Sequence, residues 1–140
     1  MLRFIKREHA DLKELIKKVA AACGEGAEKM EAFAKRDSSL ALDDFGLPPG
    51  EQKTRDDIGA KKQSELLHES GDQFEVTLLL TQVEALNYGQ HLAKIASEND
   101  FQPERARYLM ELSSELGALR DQVVSLLTVK ARTPPVERTK

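Results

Sequence analysis

The sequence predicts an all-α fold, an up-down bundle of four helices, and three observations carry that prediction. Leu, Ala, Glu and Lys, all strong helix formers, dominate a chain in which aromatics are only 5 % and Trp is absent. Apolar residues recur at spacings of three and four, the period of one helix face, where a strand would alternate by two. Glycines, prolines and short polar runs gather at a few points and cut the chain into helix-length pieces.

The first helix is expected from Leu2. Ile5, His9, Leu12, Ile16, Val19 and Cys23 define its seam, and Ala27, Met30 and Phe33 resume the pattern to Arg36. Gly24 and Gly26 interrupt it, each costing about 1 kcal/mol in a helix interior, so a kink or stop is expected there. Residues 37–50 hold Asp37, Ser38, Ser39, Asp43, Asp44, Gly46, Pro48, Pro49 and Gly50 and read as a loop. Its apolar Leu40, Leu42, Phe45 and Leu47 predict that it lies against the bundle rather than in solvent. The second helix is expected over 51–70 with Gly71 as its C-terminal cap. The third is expected over 72–98. The fourth begins at Pro103, whose missing N–H suits a first turn. Leu109, Leu112, Leu116, Leu119, Val123 and Leu126 then follow at spacings 3, 4, 3, 4, 3, the cleanest periodic signal in the chain. Residues 99–102 are too short to do other than turn the last two helices antiparallel. The 140 residues thus divide into one bundle domain, 1–130, and a disordered tail, 131–140, rich in Pro and charge.

Charge narrows the function. A net charge of −3 and a pI near 5.7 argue against nucleic acid, which calls for a basic face. No apolar run approaches the ~20 residues a bilayer requires, and Arg3, Lys6, Arg7 and Glu8 interrupt any secretory core near the start. The single cysteine, Cys23, cannot form an internal disulfide, which fits a reducing, cytoplasmic setting. It lies on the first seam and reads as a core thiol rather than a nucleophile.

Chemistry is carried by polar residues at helical spacing. Glu65 and His68, three apart, share one helix face, the arrangement by which bundles present ligands to a metal pair. The plain alternative is a solvated face. His9 falls on the first seam, as a ligand or as a hydrogen-bonded core or rim histidine. Leu80, Glu84, Asn87, His91 and Ile95 form one line on the third helix at spacings 4, 3, 4, 4. Either Glu84, Asn87 and His91 face solvent beside the core, or they satisfy one another, or they bind something, because burying them unpaired would cost several kcal/mol. The candidate metal ligands are therefore Glu65, His68, Glu84 and His91, with His9 as a further one.

The stretch from Thr81 to Ala96, with its Gln82-Val83-Glu84 and Tyr88-Gly89, resembles the third helix of the YciF-like branch of the ferritin-like superfamily. The leucine pattern from Leu109 to Leu127 is similar to that family's fourth helix, and residues 15–22 to its first. The resemblance implies a four-helix bundle that dimerises and binds two iron or manganese ions. Only Glu84 matches a ligand position. Ala85 and Asn87 stand where further ligands would follow, and Ser113-Ser114-Glu115 where paired acids would stand, so the metal site implied is a degenerate one. Residues 7–16 also look like the first helix of hemerythrin-like domains, but His9, His68 and His91 are too few for that site. Three functions follow as expectations: a non-catalytic ferritin-like bundle that forms a homodimer or binds a helical partner; a di-metal protein of oxidoreductase or storage type; and a small-molecule or peptide module with residues 40–47 as a lid.

Overall fold

The computed structural model describes the backbone of residues 2–43 and 46–132, and side chains from Ala10 onward within those ranges. It holds four helices: α1 Leu2–Arg36, α2 Pro49–His68, α3 Gly71–Asn99 and α4 Pro103–Arg132. No strand occurs among the described residues. The fourth helix starts at the expected proline and runs two residues into the expected tail; residues 133–140 lie outside those described.

α1 runs unbroken through both glycines, contrary to the expected kink. Gly24 faces open space and leaves the helical backbone undisturbed. Gly26 is buried, and a Cβ there would touch Leu112 and the Tyr108 hydroxyl at 3.6–3.7 Å, so its missing side chain brings α1 close to α4. Gly71 does not cap α2. Glu69 ends that helix in extended conformation, and Gly71 opens α3 at φ +60°, a backbone that only glycine adopts without strain. The two-residue connection this permits folds α3 back along α2.

α3 and α4 form the tightest pair. Ser97 Oγ donates to the Ala106 carbonyl at 2.7 Å, Ser113 Oγ donates to the Gln90 carbonyl at 2.8 Å, and Lys130 pairs with Glu75. These rungs fix the two helices antiparallel. Small residues let them approach: a Cβ on Gly89 would lie 3.2 Å from Leu116, and one on Gly117 would lie 2.8 Å from the Gln90 amide. α1 packs antiparallel on α4, with the Phe33 and Tyr108 rings 5.9 Å apart and Arg36 bound to Glu104. The core joins Leu12, Leu15, Val19 and Ala22 of α1, Leu79 and Leu86 of α3, and Leu116, Leu119 and Val123 of α4. Non-directional burial of these aliphatic groups drives the three helices together.

Leu12, Val19 and Phe33 of the expected α1 seam are buried and Ile16 and Met30 half-buried, but the core face is turned by about half a residue from that seam. Leu15, Ala22 and Gly26 are buried, while Cys23 and Ala27 are exposed, so Cys23 is not a core thiol. The side chains of Ile5 and His9 lie outside those described. Helix contacts run in the series α1–α4–α3–α2, and among the described residues α2 touches α3 alone. α2 contributes no buried residue. Of the expected loop anchors, Leu40 and Leu47 are half-buried, Leu42 is exposed and Phe45 lies outside the described residues. No described helix is long and apolar enough to cross a membrane.

Candidate functional site

The polar line on α3 faces outward. The buried residues of that helix are Glu75, Leu79, Leu86 and Ala93, roughly opposite in angle to Glu84 and His91. Leu80, Glu84, Asn87, Tyr88, His91, Leu92 and Ile95 are all exposed. The apolar members retain about half their surface: Leu80 48 %, Tyr88 50 %, Leu92 55 % and Ile95 55 %. A contiguous exposed apolar row is the kind of surface that docks a partner; Ile58, Leu67, Phe101, Met110 and Val129 are exposed elsewhere among the described residues.

α2 flanks this face without covering it. Arg55 is the main tie: its Nη1 donates to the Tyr88 hydroxyl at 2.7 Å, its guanidinium lies 4.9 Å from the ring centre, and its Nε is held by Glu51 at 2.8 Å. Those bonds hold Arg55 more firmly protonated than usual, the Tyr88 hydroxyl contributing most. Lys62 pairs with Glu84 through Oε2. The Glu84 side chain still shows 66 % of its surface, so its other oxygen remains open to solvent. Both ties use long, flexible side chains on the rim; Arg55 covers part of the Tyr88 ring, and Leu80, Leu92 and Ile95 stay half-exposed.

The proposed metal ligands take separate places. His68 is the last residue of α2, exposed, with Nδ1 2.7 Å from the Ser64 carbonyl. Glu65 is half-buried and near Lys61. His91 is far along α3: the 20 residues from Gly71 to His91 span about 30 Å at the helical rise, so the structure does not bring His68 and His91 together. Glu84 and His91, seven residues apart, are separated by about 10 Å along the axis. No group of three or more His, Cys, Asp or Glu side chains among the described residues is arranged to hold a metal ion. Glu115, at the place where the resemblance would put paired acids, is exposed on α4.

Two other places bear polar or open features. At the end of the bundle, Arg105 Nη1 binds Asp37 at 2.9 Å, and its Nη2 and Nε bind Asp100. The Ser39 hydroxyl and then the Arg105 guanidinium hold the Asp37 carboxyl well below its usual range, at about 2, and Arg105 lowers Asp100 as well. This clasp ties the end of α1 to the α3–α4 turn, and its ionic bonds close on one another. Sequence reasoning passed over it, although Asp37-Ser38-Ser39 is a side-chain-capped turn in which Ser39 N donates to Asp37 Oδ1 at 3.0 Å. Beside it, Leu40, Ala41, Leu42 and Asp43 line a shallow open groove against Glu31, Ala34 and Lys35 of α1. It does not enclose a small molecule in the way a ligand pocket does. Comparison with protein-family models, with curated proteins and with solved structures finds no match to this chain.

Proposed function

We propose that the chain is a non-catalytic helical bundle, ferritin-like in its up-down order of helices, whose outer α3 face docks another helix, either a partner's or a second copy's. The observation that carries this is the row Leu80, Tyr88, Leu92 and Ile95, half-exposed on a helix whose neighbour on that side among the described residues, α2, buries nothing. A helix-in-groove contact uses anchors at this spacing. The ferritin-like di-metal chemistry finds no support in the placement of His68 and His91, and no group of three or more His, Cys, Asp or Glu among the described residues is arranged to hold a metal ion. A cytoplasmic setting agrees with one exposed, unbridged thiol at Cys23.

Replacing Leu80, Leu92 and Ile95 together by Ser tests the reading. Dilute variant protein should unfold at the same urea concentration as the parent, because these side chains contribute little to the core, while its association with itself or with a helical partner is lost. A marked fall in the stability of the dilute variant would show that the row belongs to the fold and not to docking.

A further inference from the structure

Resting on that docking reading, we infer that the occupant of the outer α3 face is a second copy of this chain, with the two α3 helices antiparallel about a two-fold axis between residues 87 and 88. About that axis the line pairs apolar Leu80 with apolar Ile95, the Glu84 carboxylate with the His91 imidazole, and Asn87 with Tyr88. In an antiparallel pair centred there, Leu80 of one copy faces Ile95 of the other, and Glu84 faces His91, each contact occurring twice by symmetry. The Glu84 carboxylate, with Oε2 on Lys62, offers its second oxygen to the imidazole of the other copy. Within α3 the remaining charged residues, Lys94 and Glu98, meet Thr81 and Thr77, so no α3 charge is set against its own sign. A parallel two-fold pairing would instead place Glu84 beside Glu84 and leave the histidines against each other. The register therefore follows from charge complementarity, and the apolar ends Leu80 and Ile95 supply the burial. Residues 80–95 span about 22 Å, a contact at the small end of stable interfaces, so the dimer forms at high rather than trace concentration.

Charge-pair replacement across the axis distinguishes the register. Molar mass is read by light scattering over a wide concentration range for the parent, Leu80→Glu, Ile95→Lys and the double variant, with far-UV circular dichroism on each. The parent should reach twice its 15.6 kDa protomer mass. Each single variant should stay at the protomer mass, because an unpaired charge is then pressed against an apolar group at both ends of the contact. The double variant should return to the dimer, since the carboxylate introduced in one copy then meets the ammonium introduced in the other. Within one helix these two positions are 15 residues apart and cannot pair, so rescue reports the antiparallel contact alone. A dimeric parent whose double variant stays monomeric would overturn the register and leave the docking face standing. Single variants that remain dimeric would overturn both. A parent that is monomeric throughout would overturn the second copy as occupant, and loss of helicity in a single variant would overturn the surface placement itself.

Discussion

Leu79 and Leu80 are adjacent in sequence and about 100° apart around α3, and they should respond to the same substitution very differently. Leu79 is fully buried among α1, α3 and α4, whereas Leu80 keeps 48 % of its surface. Leu79→Ala deletes three carbons from the closed core. At about 0.8 kcal/mol per buried methylene the transfer loss is about 2.4 kcal/mol, and the cavity left behind raises it to about 3–4 kcal/mol. Alanine's better helix propensity returns a few tenths. Against a total stability of about 5–15 kcal/mol this is a large fraction, equivalent to a fall in Tm on the order of 10 °C. Leu80→Ala should cost about 1 kcal/mol or less, because the side chain is already half in water. Urea unfolding of dilute protein, followed by far-UV circular dichroism, measures both. The midpoint should drop for Leu79→Ala with the slope unchanged, and barely move for Leu80→Ala. Equal costs, or a larger cost at Leu80, would refute the assignment of the outer face.

Three further outcomes follow from the same geometry. Gly24→Ala should stabilise the protein by about 0.5–1 kcal/mol, since the helix is continuous there, the site is open, and glycine only adds freedom to the unfolded chain; thermal melting checks it. Asp37 is held at about 2 in the fold against 3.8 ordinarily, so its contribution is whole above about pH 4 and is lost as pH falls toward 2; Asp37→Asn should make the decline of Tm over that window shallower. Amide exchange should be faster throughout α2 than in the middle of α4, because α2 buries no residue and opens without disturbing the core, and a fully protected α2 would contradict its peripheral place.

How far the fold was legible depended on how sharply each helix separates its apolar stripe. In α4 the stripe is narrow and flanked by Glu, Ser, Arg and Asp, and every residue of the expected seam from Leu109 to Leu126 is buried or half-buried. In α3 three leucines in a row, Leu78, Leu79 and Leu80, span about 200° of the circumference, so periodicity alone does not choose the core face. The choice is made by Gly89, Ala93, Ser113 and Gly117, small groups that let α3 and α4 approach, and by Ser113 bonding across to Gln90. In α1 the helix propensity of glycine predicts a break, whereas Gly26 acts at a close helix crossing. The candidate metal ligands rest on spacing within single helices. Spacing places Glu65 beside His68, but His68 ends α2 at the two-residue connection while His91 lies 20 residues into α3, which keeps the two apart. The Arg105 clasp was hidden because it joins residues 37, 100 and 105, distant in sequence and close only after α1 docks on α4.

His91 and His68 give the most direct test of the docking face, since both are exposed in the free chain and only His91 lies on the outer row of α3. Carbethoxylation of each histidine, quantified by mass spectrometry across increasing protein concentration, compares them in one sample. Burial of the α3 face against another copy requires that His91 become progressively protected while His68 keeps its reactivity. Parallel reactivity of the two at every concentration would contradict it.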